Sequence, residues 1–121
     1  MKRFLVVFVA LTFSLNLIHA EDDTEGSFNL VLGNCSYALA RDLVYHEHVD
    51  KVFVPLVQRN ATSVWYGDQT VYCIKALNEN EESEGGVAFI KEGGISHHFV
   101  TIEMHSKTGN ALHYDVQVYG H

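Results

Sequence analysis

The sequence predicts an all-β domain, an antiparallel β-sandwich or small barrel of about six to seven short strands. Three observations carry this expectation. Apolar and polar residues alternate with period two from Phe99 to Ser106 and again from Leu112 to Val118, the mark of a half-buried strand. Turn residues rich in glycine, asparagine and glutamate separate the strand-like runs at short intervals, as in sandwiches and small barrels. No run of ten or more residues has clean helical periodicity, and strand–helix–strand alternation is missing.

The elements follow in order. Asn29 to Leu32 is a short strand ended by the turn pair Gly33-Asn34. Ala38 to Arg41 is a helical turn, too short for a helix. Leu43 to Val49 mixes β-branched, aromatic and polar residues, as a strand does. Val52 to Val57 is apolar but holds Pro55, which cannot donate to a ladder, so it reads as an edge strand or bulge. Thr70 to Leu77 is a strand with Tyr72, Ile74 and Ala76 on one face and Val71, Cys73 and Lys75 on the other. Asn78 to Gly86 is a flexible loop carrying Glu79, Glu81, Glu82 and Glu84. Val87 to Lys91 is a strand that reverses at Gly93-Gly94. In Phe99–Ser106, Val100, Ile102 and Met104 face one way. The turn Lys107-Thr108-Gly109-Asn110 then leads to Leu112, Tyr114, Val116 and Val118, and the two runs read as a hairpin.

The first twenty residues have a different character. Lys2 and Arg3 precede an apolar run from Phe4 to Phe13, extended by Leu15, Leu17 and Ile18, and Ile18-His19-Ala20 supplies a cleavage site. This is the order of a secretory signal peptide. The run is shorter than the ~20 residues of a spanning helix, and Ser14, Asn16 and His19 interrupt it. The expected organisation is a cleaved signal peptide at 1–20, an acidic flexible leader at 21–28 and one β-rich domain at 29–121, with no membrane span after cleavage. Cleavage removes Lys2 and Arg3 and no acidic residue, which takes the formal charge from −7 to −9. Such a surface disfavours phosphate backbones, so direct nucleic-acid binding is not expected.

The two cysteines, Cys35 and Cys73, allow one internal pairing, and an oxidising compartment favours the disulfide over two free thiols. Closing that loop restricts the unfolded chain by about 4 kcal/mol on the entropy model. Asn34-Cys35-Ser36 and Asn60-Ala61-Thr62 are sequons, with Asn60 in a polar break between apolar segments the better acceptor and Asn34 the poorer.

An ordered set of pieces runs through the C-terminal half: Ile74-Lys75-Ala76-Leu77, Gly85-Gly86-Val87-Ala88-Phe89-Ile90, Gly93-Gly94, Val100-Thr101-Ile102 and a closing Val116-Gln117-Val118-Tyr119-Gly120. Together they resemble the insect family named for the second multiprotein bridging factor, many of whose members are catalogued as salivary secreted peptides. The resemblance implies a small all-β secreted domain. It also implies a transcriptional label, that of a co-activator bridging a sequence-specific activator to the general transcription machinery. No catalytic residues come with it. The histidines and the acidic Asn78–Glu84 loop depart from the commonest family pattern.

Candidate sites are few. His46 and His48 are two apart on a strand and share a face, and His97, His98, His105 or His113 would have to join them to complete a metal shell. Convergence of that kind is not visible in the sequence, so the expectation is a solvated polar face, no metal and no cofactor. The acidic loop lacks Asp-x-Asp-x-Asp-Gly spacing and is not read as a calcium site. No nucleophile-and-base motif is present, and one bond consumes both thiols, so no catalytic residues and no enzyme activity are expected. Trp65, Tyr66 and Tyr72 are close in sequence; adjacency puts one of Trp65 and Tyr66 inward and the other outward. The expected function is a secreted, non-enzymatic protein of saliva, venom, haemolymph or an epithelial secretion that acts through protein or ligand binding. The alternative is the transcription co-activator, acting through a protein partner.

Overall fold

β-Branched and aromatic side chains fill the segments that become strands, where they pack on a pleated surface. The computed structural model describes residues 26–121, so the expected signal peptide and most of the acidic leader lie outside the described residues. The strands are β1 (Leu30–Gly33), β2 (Leu43–Lys51), β3 (Asn60–Tyr66), β4 (Val71–Asn78), β5 (Val87–Gly93), β6 (Phe99–His105) and β7 (Leu112–Gly120). They form two antiparallel sheets, of order β1-β4-β7-β2 and β3-β6-β5. The fold is therefore all-β, as expected, and of the two expected architectures it is the sandwich. Its core joins Ile74, Ala76, Tyr114, Val116 and Val118 of the first sheet to Ala88, Val100, Ile102 and Met104 of the second. Burying a large apolar side chain in such a core contributes about 1.5–3 kcal/mol. The fold starts before β1: Ser27, in the segment read as leader, exchanges two backbone hydrogen bonds with Ala88, of 3.0 and 2.8 Å.

The expected β6–β7 hairpin does not form. β6 lies between β3 and β5, and β7 lies between β4 and β2, in the opposite sheet. Both hydrogen-bonding edges of each strand are thus already occupied. The 107–111 segment keeps its turn chemistry, with the Asn110 N–H donating to the Lys107 carbonyl at 3.0 Å, but it arches from sheet to sheet. Alternation fixes which face of a strand is buried and leaves its partner open, because a hairpin and an arch bury the same side chains. The reversal at Gly93-Gly94 is a true hairpin, β5 pairing with β6.

Three further expectations change. Val52–Val57 is neither an edge strand nor a bulge in one, but a tight turn closed by a Val54–Val57 bridge. Asn60 does not sit in a break: it opens β3, a strand missing from the sequence reading. The inner positions of β3 are Ala61, Ser63 and Trp65 while Val64 and Tyr66 face out, so its hydrophobic pattern is close to inverted. In β4 a register shift between Val71 and Cys73 inserts Tyr72 as an extra residue. The bulge returns Val71 to the core beside Ile74 and Ala76 and turns Tyr72 outward, toward Tyr119 and His121. Gly33 is needed where it stands. Its φ is +85°, and a Cβ there would collide with the Tyr72 carbonyl oxygen.

The 3-10 turns at Cys35–Tyr37 and Ala40–Asp42 replace the single helical turn expected near Ala38. The acidic loop, expected to be flexible, is tied down. The Asn80 side chain donates to the Ala111 carbonyl at 2.9 Å, and the Asn110 side chain donates to the Glu84 carbonyl at 2.7 Å.

Candidate functional site

The connection between β2 and β3 presents apolar side chains to solvent. Val52, Phe53 and Leu56 are 73%, 62% and 90% exposed. The turn is closed by the Val57 N–H donating to the Val54 carbonyl at 3.0 Å. Pro55 occupies its second position and presets φ there. Leu56 occupies the third with φ +66°, a left-handed conformation that favours glycine and costs a β-carbon residue about 1–2 kcal/mol. The base of the loop is pinned. Gly109 N–H donates to the Val57 carbonyl, Ser106 N–H to the Arg59 carbonyl, and Arg59 N–H to the buried Ser106 hydroxyl, at 2.9, 2.8 and 2.8 Å. A hydrogen-bonded base thus carries a strained, solvent-exposed apolar tip.

Near the loop, Glu47 of β2 points toward the core side of the sandwich edge. Its Oε1 accepts hydrogen bonds from the Ser63 hydroxyl at 2.6 Å and from the Tyr45 hydroxyl. Burial, followed by the bond to Glu47, pushes the Tyr45 phenol above its usual value. These contacts link β2 and β3, the end strands of the two sheets on this side. An inward carboxylate at an edge also discourages pairing with a foreign strand. Glu47 carries no motif and was not singled out by the sequence; only its place opposite Ser63 gives it a role.

Cys35 and Cys73 are joined in a disulfide, tying the turn after β1 to β4. Beside it lies an open groove of about 490 Å³ lined by Asn34, Tyr37, Leu39, Arg41, Asp42 and Tyr72. Tyr72 donates to Asp42 Oδ2 at 2.7 Å and accepts from the Leu39 N–H at 3.2 Å. Asn34 and Asn60 are both exposed. Trp65 packs against the core while Tyr66 faces out, stacked on Phe99 with ring centroids 5.7 Å apart, so the three neighbouring aromatics form no single cluster.

The histidines do not gather as the sequence would have required. His97 faces the Ile95 carbonyl, His98 the Gln69 carbonyl, His105 the Asn60 side chain and His113 the Asp50 carboxylate. His46 and His48 do share the outer face of β2, and the residue that joins them there is Asp115 of β7.

The family model described as Transcription activator MBF2 matches residues 38–120. The chain belongs to the MBF2 family. No curated protein and no solved structure matches it. The MBF2 match takes in β2 through β7, and with them the apolar loop, its anchors in the 106–109 segment and the Glu47 edge. Cys73 lies inside the matched region and Cys35 three residues before it.

Proposed function

We propose that this MBF2 family member is a non-enzymatic protein-binding module that acts as a transcription co-activator, joining a sequence-specific activator to the general transcription machinery through protein contacts. The observation that carries the binding role is the apolar tip Val52–Leu56 on its pinned base. Exposed apolar side chains on a strained, firmly anchored turn mark a recognition surface. The family description supplies the transcriptional task. The formal charge of −7 supports contact with proteins over direct contact with nucleic-acid phosphates. The test is activated transcription from a reporter, with and without the full chain. The expected result is stimulation by wild type and its loss in a Phe53→Ser/Leu56→Ser variant that keeps its melting temperature. Absence of stimulation by a chain shown to reach the nucleus would remove the co-activator role.

A second reading has its own observation. The Cys35–Cys73 bond suits an oxidising compartment, and Lys2 to Ala20 has the order of a secretory signal. On this reading the same loop binds a partner outside the cell, in saliva, venom, haemolymph or an epithelial secretion. Protein recovered from the medium would begin at Glu21, resist alkylation without reduction and carry glycan at Asn60 or Asn34. Chain retaining Met1, found in nuclei with both thiols alkylatable, decides for the co-activator.

A further inference from the structure

We infer that His46, His48 and Asp115 form a binding site for one divalent transition metal ion of the zinc type, on the outer face of the four-stranded sheet and independent of the apolar loop. The β2–β7 register sets Asp115 directly across from His48, and His46 lies two residues along on the same face. His46 Nε2 is 2.6 Å from Asp115 Oδ1, and His48 Nε2 is 3.5 Å from the same oxygen. The three donor atoms lie within 4.8 Å of one another. Tetrahedral zinc with ligand bonds of about 2.0–2.1 Å wants its donors about 3.3 Å apart, so small rotations of exposed imidazoles suffice. Two imidazoles and one carboxylate leave the fourth position open for water or a partner's donor.

The surroundings are those of a built site. Ligating imidazoles are oriented by a carboxylate on the opposite nitrogen, and ligating carboxylates by hydrogen bonds to their second oxygen. Here Glu79 Oε1 lies 3.4 Å from His48 Nδ1, which leaves Nε2 for the ion. Gln117 Nε2 donates to Asp115 Oδ2 at 2.7 Å, turning Oδ1 toward the imidazoles, and the Tyr119 hydroxyl donates to Gln117 Oε1 at 2.7 Å. A chain from Tyr119 through Gln117 thus holds the carboxylate before any ion arrives. On binding, the ion takes the place of the proton in the His46–Asp115 bond.

The test uses the full, disulfide-intact chain, stripped with chelator, dialysed and titrated with zinc by calorimetry. One equivalent should bind with micromolar or tighter affinity. His46→Asn/His48→Asn should abolish binding, and Asp115→Asn should weaken it at least tenfold. Glu79→Gln, at an exposed position that leaves the fold intact, should weaken it about tenfold through the orientation of His48. His97→Asn/His98→Asn should bind as wild type. Cobalt(II) should give the visible absorption of a four-coordinate site in wild type and lose it in His48→Asn. No saturable binding, a stoichiometry other than one, or an affinity unchanged in both Asp115→Asn and Glu79→Gln overturns the inference.

Discussion

Glu47 brings the two sheets together at the sandwich edge through one carboxylate oxygen, which serves the hydroxyls of Tyr45 and Ser63. Ser63 is 2% exposed, so removing its acceptor leaves a buried hydroxyl without a partner, which costs about 1–3 kcal/mol. Glu47→Ala should lose that much in denaturant unfolding, while Glu47→Gln, which keeps an acceptor oxygen, should lose less. Tyr114 plays a comparable part at the start of the fold. Its hydroxyl donates to the Phe28 carbonyl at 2.7 Å and accepts from the Asn78 side chain at 3.2 Å. Burial pushes its phenol from 10.0 up to about 12. The folded phenol therefore holds its proton after the unfolded chain has lost it. That stability is complete below pH 10 and drains away as pH rises toward 12, by about 2–3 kcal/mol. Unfolding measured across this range should show the decline. Tyr114→Phe should flatten it, with a residual slope from Tyr45 and Tyr72, whose phenols are also raised, mainly by burial. At this scale the sequence was legible where side-chain type alone decides, as for the inward Tyr114 and the paired cysteines. Glu47 and Asp115 were not, because their roles arise from cross-sheet and cross-strand neighbours.

Among the elements, the β2–β3 turn holds an apolar residue in a strained, exposed conformation. Leu56 sits at φ +66° and is 90% exposed. Glycine relieves the backbone strain and gives back part of the gain in chain entropy, for a net stabilisation of about 0.5–1 kcal/mol. Leu56→Gly should therefore raise the melting temperature by a few degrees while weakening partner binding. A fall in stability would mean that Leu56 is held for packing. The same elements show what periodicity carries and what it leaves out. β6 and β7 are legible with their buried faces because their alternation is regular over seven and nine residues. Their pairing is not fixed by that alternation, because an arch and a hairpin share one hydrophobic pattern. β3 is hidden from its sequence because it buries alanine, serine and tryptophan and exposes valine and tyrosine. The β4 bulge reversed the side assigned to Val71, since one added residue inverts every face beyond it.

At the scale of the whole molecule, the described residues form a seven-stranded sandwich tied by the Cys35–Cys73 disulfide, in a chain of acidic balance. The bond closes a 38-residue separation, and on the entropy model its loss costs about 4 kcal/mol. Cys35→Ser/Cys73→Ser should lose stability on that order, with the apolar loop still able to bind wherever the variant remains folded. The all-β class and MBF2 membership are both legible in the sequence, the first from alternation and turn spacing, the second from the ordered pieces between Ile74 and Gly120; the choice of sandwich over barrel is not. The exposed apolar loop is not legible there, because Val52–Val57 reads as a strand fragment until the turn exposes it. Binding of a transcription partner by the apolar loop is measured most directly by site-specific photo-crosslinking of the full chain in its own cells. Probes would replace Phe53, Leu56 and, as an exposed control, Val31. Adducts with a protein of the activated-transcription machinery are expected from positions 53 and 56 and none from position 31. Adducts from the control position alone, or no adducts from the loop, would contradict binding by the loop.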